Sequence, residues 1–407
     1  MTNNPLPMRI AAVCLFWLAI GIAMAAIADR RILFVGDSWT DMPQIFWLAW
    51  DEAMKARGLD PDEFGLQVGC TARSGSTAAN WASDLPMLMT PLGEPISSVS
   101  GRELISLELQ KYPTIDIVHL SMGGNDFNGV VGLASAVPVA QRDMVYDGIV
   151  DNIATVVEHI LNVRPNMRVV ISGYTFINAT GKVTASVEEV NREMVKFSQK
   201  VRDYALQTPQ CHYVNNLGLM QYYADTTGKA VFPGEEPDYN PMPGGNGSYE
   251  PVTDFLFDDF VHLNHEGYVL LLENCIDQYY FDWLVTPNVC EIQPLGFNPT
   301  SESLIRYHVL FNMPVSGVDV MDFKLERQGG QAAAHIEKVT GSGNEYEVYV
   351  RTGQANGSLG LSLHDNDSIV GKTGVPLGGE GDRNGSFEGP EVMVDQSIEI
   401  PAGCWSY

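Results

Sequence analysis

A carboxylate stands three residues before an imidazole in Asp259-Phe-Val-His262, within the longer run Asp258-Asp259-Phe-Val-His262-Leu-Asn-His265. At that spacing one turn of chain can fold Asp259 onto His262, fixing the ring's tautomer and stabilising its protonated form. An acid-rich helix start with a solvated histidine has the same local sequence. Ser38 ends the tripeptide Gly36-Asp37-Ser38, directly after the apolar run Arg31-Ile-Leu-Phe-Val35. A hydroxyl where a strand enters a helix lies near backbone N–H groups able to hold an oxyanion. A plain N-cap serine reads identically. Two more pieces offer hydrogen-bond donors: the Asn125 amide in Met122-Gly-Gly-Asn-Asp126, and the Gly75 N–H in Arg73-Ser-Gly-Ser-Thr77. The first of these also fits an ordinary Asn-Asp turn. Together they are the parts that acyl transfer to water requires: a nucleophile, an oriented base and oxyanion donors. Among the other histidines, His119 and His212 fall in strand runs and read as core residues. His159 falls inside a long helix as a surface or capping residue, and His265 rivals His262.

The elements that must position these groups alternate between strand and helix. Strand patterns cover Arg31–Val35, Phe64–Cys70, Ile115–Ser121, Arg168–Ser172 and His212–Val214. Helical stripes cover Pro43–Arg57, Gln141–Val163, about 185–206 and about 265–284, the clearest carrying Val145, Ile149, Ile153, Val156, Val157 and Ile160 on one face. Strands separated by helices predict βαβ units and a parallel sheet covered on both faces, with ligands at the carboxyl ends of the strands. Between Ala224 and Phe255 the periodicity stops in a Pro/Gly-rich loop. It reads as a lid or pocket wall, or equally as a surface insertion, and its Phe232, Tyr239 and Tyr249 could stack on a sugar or line an acyl groove. From about Val289 the pattern turns all-β, with alternating runs at 306–311 and 346–350 between Gly/Asn/Ser/Asp turns. That suits a single β-sandwich.

The order of the chemical pieces is more specific than any one of them. Gly-Asp-Ser follows the first strand, Gly75 the second and Gly-x-Asn-Asp the third, and Asp-x-x-His precedes the last helix. The chain resembles the SGNH/GDSL hydrolase family over about Ile32 to Tyr280, including Leu-Asn-x-x-Gly-Tyr from Leu263 to Tyr268. The resemblance implies an α/β, flavodoxin-like three-layer parallel sheet of order 2-1-3-4-5 and a serine esterase with no cofactor and no metal. It also implies that Ser38 is the nucleophile, His262 the general base and Asp259 the residue orienting it. The Ser38 N–H, the Gly75 N–H and the Asn125 side chain would form the oxyanion hole, and His265 becomes a bystander. Trp39 stands where many members carry a residue such as Leu, which would narrow the site. Pro314-Val-Ser-Gly-Val-Asp, Asn356-Gly-Ser-Leu-Gly-Leu and Gly385-Ser-Phe-Glu-Gly-Pro resemble the Ig-like repeats of bacterial surface and adhesion proteins, over about Pro299 to Asp395. This implies a spacer or attachment module that contacts a cell surface or glycan. Asp365 and Asp367 there read as an ion-free turn in preference to a Ca²⁺ site.

Three segments are therefore expected: a signal peptide at 1–28, a hydrolase domain at 29–286 and an Ig-like all-β sandwich at 287–407. Arg9, the apolar stretch Ile10–Ile22 and the small-x-small sites ending at Ala25 and Ala28 mark the first, with a retained membrane anchor as its rival. A secreted or periplasmic chain would keep five of its six cysteines, with room for one or two disulfides. No CxxC or tight Cys/His cluster gives a zinc framework. Acids outnumber bases 50 to 24, a net charge of −26, which disfavours nucleic acid. The acidity is spread along the chain, residues 287–407 carrying 16 acids and 7 bases. The expected partner is a small-molecule, polysaccharide or lipid ester, and the expected activity is hydrolysis of short-chain acyl, carbohydrate acetyl or lipid esters. The competing reading is a surface adhesion or binding protein with an inactive hydrolase scaffold.

Overall fold

The computed structural model describes residues 30–45, 47–62, 64–67, 71–88, 95–132, 137–180, 185–234 and 242–398. The expected signal peptide, Tyr239, Cys14, Cys70 and Cys404 lie outside them. The chain forms two compact units, one drawn from residues up to Tyr112 and Ile117–Gln278, the other from Pro113–Asp116 and residues from Tyr279 onward.

The first unit is built on a five-stranded parallel sheet. Its strands are β1 (Arg30–Gly36), β2 (Gly65–Gln67), β3 (Ile117–Ser121), β4 (Arg168–Ser172) and β5 (Cys211–Val214), in the spatial order β2-β1-β3-β4-β5. Strands covered on both faces need continuous apolar runs, and Ile32–Val35 and Ile117–Val118 are accordingly fully buried. The connections carry α1 (Ser38–Ile45), α2 (Trp47–Ala56), α3 (Ala78–Ala82), α4 (Gly101–Lys111), α5 (Gly124–Val131), α6 (Val139–Val163), α7 (Val187–Gln207), α8 (Leu219–Ala224) and α9 (His265–Cys275). The helix expected from Pro43 begins at Ser38, because the Asp37 carbonyl accepts the N–H groups of Thr40 and Asp41 and winds the turn at once. The stripe expected over 265–284 is α-helical to Cys275, widens into a π turn at Ile276–Tyr280 and resumes as α-helix at Phe281–Val285. α6 buries Tyr146, Ile149, Ile153, Val156, Val157 and Ile160. α7, capped by Ser186 onto the Glu189 N–H, buries Val190, Met194, Phe197 and Val201. Among the described residues no helix is long and apolar enough to cross a membrane.

The described part of the Pro/Gly-rich loop is tied down. Gly244 N donates to the Leu217 carbonyl (2.9 Å), and the Gln221 side chain bonds the backbone at Asn246 and Glu250. Phe232 meets Tyr222 edge-on at 5.2 Å, and Tyr249 packs on Phe176 beneath the Arg192 guanidinium. Both rings are thus engaged by their own neighbours.

The second unit is antiparallel. Its strands are β6 (Val289–Leu295), β7 (Leu304–Ser316), β8 (Phe323–Gly329), β9 (His335–Arg351), β10 (Gly357–Leu363), β11 (Val370–Gly371) and β12 (Phe387–Val394). One sheet runs β8-β10-β12; in the other, β7 pairs with β6, β9 and β11. Alternate residues of both sheets, including Tyr307, Val309, Phe311, Val348, Val350, Leu359, Leu361 and Val392, join one apolar cluster, as the period of two requires. Asp365 shapes a turn: its carboxylate accepts the Asp367 and Gly385 N–H groups. Among the described residues no group of three or more His, Cys, Asp or Glu side chains is arranged to hold a metal ion.

Candidate active site

The carboxyl edge of the parallel sheet gathers the chemical residues. At the end of β1, Gly36 has φ +138°, and an added Cβ would lie 1.8 Å from the Ser121 carbonyl oxygen. Only glycine lets β1 approach β3 this closely. Asp37 N then donates to that same oxygen (2.9 Å), Gly36 N donates to the Thr71 carbonyl and Arg73 N to the Gly36 carbonyl. The turn delivering Ser38 is therefore sewn to both neighbouring segments. Ser38 opens α1, where first-turn N–H groups have no partner within the helix.

The imidazole arrives from the loop before α9. Asp259 Oδ1 accepts the N–H groups of Val261 and His262, each at 2.9 Å. Its Oδ2 lies 2.5 Å from His262 Nδ1. Folding the carboxylate back this way sets Phe260 at φ +59°, a left-handed conformation costing a side-chain-bearing residue about 1–2 kcal/mol. The Asn178 N–H donates to the Phe260 carbonyl (2.9 Å) and helps hold it there. On the far side of the ring, His262 Nε2 lies 2.6 Å from Ser38 Oγ. With Asp259 receiving the Nδ1 proton, Nε2 carries a lone pair facing the hydroxyl. Burial raises the Asp259 carboxyl, but hydrogen bonds from the His262 ring and the two N–H groups outweigh it and leave it below the usual carboxylate range.

Asn125 stands at the start of α5, after Gly123 in a left-handed turn (φ +103°). Its Nδ2 donates to the Ser76 carbonyl at 2.8 Å, leaving the second amide hydrogen available. Asp126 Oδ2 accepts the Ala78 N–H at 2.8 Å, so the loop after β3 and the 73–78 turn are joined twice. Ser38, Asn125 and His262 line one pocket, together with Asp37, Trp39, Gly124, Asn128, Tyr174, Ile177, Met194 and Val261. Gly75, exposed in the adjoining turn (φ +82°), is not among the pocket-lining residues; its neighbour Ser76 accepts the Asn125 amide. His265 instead faces Glu52, Nε2 to Oε2 3.0 Å, at the start of α9. His119 stacks on Phe34, and burial pushes its ring down to about 3, keeping it neutral in the core. His159 bonds Ser106 Oγ and the Arg102 carbonyl.

Asp37 and Tyr174 add two polar groups to the pocket that local sequence spacing does not mark. Asp37 is wholly buried; its Oδ1 accepts the Trp39 N–H (3.0 Å), and its Oδ2 accepts the Tyr174 hydroxyl (2.6 Å) and the Gly124 N–H (3.3 Å). Burial pushes this carboxyl up to about 6, against the lowering pull of those donors and of His262. Tyr174 follows β4 by two residues, and that position at the carboxyl edge of a known strand was its available signal.

The GDSL-like Lipase/Acylhydrolase family profile matches residues 34–270. Among solved structures, a carbohydrate esterase family 3 protein from Talaromyces cellulolyticus is 17% identical with a TM-score of 0.33, covering 63% of this chain and 97% of its own. A family 3 carbohydrate esterase from Clostridium thermocellum is 14% identical (TM-score 0.35; 63% and 96% covered). Axe2, an acetylxylan esterase from Geobacillus stearothermophilus solved as a catalytic mutant, is 15% identical (TM-score 0.35; 61% and 93%). No curated protein matches the chain. With the family profile spanning more than half its length, this chain belongs to the GDSL-like lipase/acylhydrolase family and is an SGNH-type carboxylic-ester hydrolase.

Proposed function

We propose that this chain is a serine esterase in which Ser38, His262 and Asp259 act as a triad. The observation that carries the reading is the unbroken contact from Asp259 Oδ2 through His262 to Ser38 Oγ, 2.5 and 2.6 Å. Ser38 Oγ attacks the ester carbonyl carbon as its proton passes to His262 Nε2. The oxyanion is held by the N–H groups of Ser38 and Gly75 and the remaining amide hydrogen of Asn125. The carbon–oxygen bond to the alcohol breaks, and His262 returns the proton to the leaving oxygen. Water then attacks the acyl-serine by the same route, releasing the acid and restoring Ser38.

The test is p-nitrophenyl acetate hydrolysis. Ser38→Ala and His262→Ala should each lower kcat by about 10⁴-fold or more. Asn125→Ala, losing one oxyanion donor, should lower it by about 10²–10³-fold. His265→Ala should stay near the parent rate. Full activity in the first two, or loss only in the last, would overturn the assignment. The substrate class is a small-molecule, carbohydrate or lipid ester. We further propose export through residues 1–28 and an Ig-like attachment role for residues 287–407, supported by the apolar leader and the two antiparallel sheets. Recovery of the mature N-terminus at residue 29 from culture medium tests the first. Cell or polysaccharide pull-down with and without residues 287–407 tests the second.

A further inference from the structure

The pocket holding Ser38 ends on a wall of buried side chains. Trp39, Tyr174, Ile177 and Met194 all line it, and none is more than 5% exposed. With its open mouth included, the pocket has an empty volume of about 360 Å³. A second, shallower hollow, about 230 Å³ with its open mouth included, is lined by Met122, Ile171, Phe197, Val201 and Tyr213 among others, and Tyr174 is the residue common to both linings. Met194 belongs to the first pocket, Phe197 and Val201 to the second. Spaced by three and four residues on α7, they form one helix stripe, so the two hollows follow one another along it. Tyr174 stands where the two meet.

That ring is held from several sides. Its hydroxyl donates to Asp37 Oδ2 at 2.6 Å and accepts from Gly124 N at 2.7 Å. Trp39 meets it edge-on at 5.2 Å, and a Cβ added at Gly124 would lie 2.9 Å from the ring. Behind it, Asn191 Oδ1 and Nδ2 bond both backbone groups of Ile177, fixing the neighbouring part of the wall. We propose that Tyr174 is the acyl-length stop of this enzyme, confining it to esters of acetyl to butyryl size. The proposal rests on Ser38 as the nucleophile. A longer acyl chain must leave its tail in water at the mouth, or displace a buried ring that makes two hydrogen bonds. Either forfeits the transfer energy that extra methylenes would otherwise bring. The alcohol portion departs toward the mouth, where this wall imposes no limit, so an acetylated sugar fits the same arrangement.

The experiment measures kcat/KM of the full chain on p-nitrophenyl acetate, butyrate and octanoate. The parent should fall by at least about tenfold from acetate to octanoate. Tyr174→Ala, which joins the two hollows, should raise the octanoate-to-acetate ratio by about tenfold or more. Tyr174→Phe keeps the ring and loses the hydroxyl, so rates should drop on every ester while the ratio holds. Met194→Ala provides a milder opening if Tyr174→Ala does not fold, and should favour butyrate over acetate. Equal parent rates on acetate and octanoate, abolished in Ser38→Ala, would sink the length stop alone. A ratio shifted as strongly by Tyr174→Phe as by Tyr174→Ala would do the same. Ester hydrolysis independent of Ser38 would instead remove the reading beneath it.

Discussion

A carboxyl group without solvent contact resists ionisation, and Asp37 is such a group, pushed up to about 6 by burial. Its charge near neutral pH is tolerated because Trp39 N–H, Gly124 N–H and the Tyr174 hydroxyl all point at it, with His262 nearby. The same contacts join the turn bearing Ser38 to the loop bearing Asn125, so Asp37 acts as a positioning residue. That role is bought with stability. A folded-state value above the ordinary 3.8 means that the native protein binds the extra proton. The contribution is fully present below about pH 4 and is lost as pH rises through about 6, amounting to about 3 kcal/mol. Asp37→Asn removes this titration. In urea unfolding, its stability relative to the parent should therefore improve from pH 4.5 to pH 7.5, while its kcat falls at both. A difference that does not change with pH would show that Asp37 ionises without penalty.

At the scale of elements, the meeting of β1 and β3 decides whether Ser38 is presented at all. Gly36→Ala would put a methyl 1.8 Å from the Ser121 carbonyl oxygen, in a backbone conformation unfavourable for alanine. Backbone cannot yield as a flexible side chain does, so the strand ends must part, at a cost of about 4 kcal/mol or more. The expected result is a strongly lowered melting temperature and loss of esterase activity; a variant with parent stability and rate would refute the close-packing argument. Much of this architecture was legible beforehand. Ile-Leu-Phe-Val and Ile-Asp-Ile-Val announce buried strands because a parallel sheet demands apolar runs, and α6 shows its stripe plainly. Ser38, Asn125 and Asp259-x-x-His262 stand out as candidates through their order relative to these strands and the last helix, since each alone also reads as a cap or a turn. The helices α3, α5 and α8, of five to eight residues, are too short to leave a periodic signal, and the eleven-residue α4 also falls outside the expected stripes. α3 starts at Ala78, whose N–H is held by Asp126, 48 residues away in sequence. Tyr174 and Asp37 escaped for a related reason: their roles arise from contacts between strand ends, which local spacing does not encode. Of the aromatics in the 224–255 loop, Phe232 and Tyr249 read as ligand platforms in sequence; neither lines the pocket holding Ser38, and they pack against Tyr222, Phe176 and Arg192.

Over the whole molecule, charge has the more general consequence. With 50 acids and 24 bases, carboxylates exceed cationic side chains by 26, and that excess of negative charge stays uncompensated however the pairs are arranged. Many pairs that do form are exposed, such as Arg192 with Glu188 and Lys324 with Glu326, and exposed pairs contribute about 0–1 kcal/mol each. Salt weakens these attractions and the carboxylate repulsion alike. The repulsion is set by the larger, uncompensated number, so screening should stabilise the folded chain on balance. The Debye length falls from about 10 Å at 0.1 M to about 3 Å at 1 M, so the gain should level off across that range. Each 1 kcal/mol gained should raise a unit's melting temperature by about 2–4 °C. Thermal unfolding of the full chain between 0.01 and 1 M NaCl should therefore show a midpoint that climbs and then flattens. NaCl and KCl should give the same curve, because ionic strength alone is at work. A midpoint that falls with salt would mean that the ion pairs outweigh the repulsion, and that the excess carboxylates lie far enough apart to ignore one another.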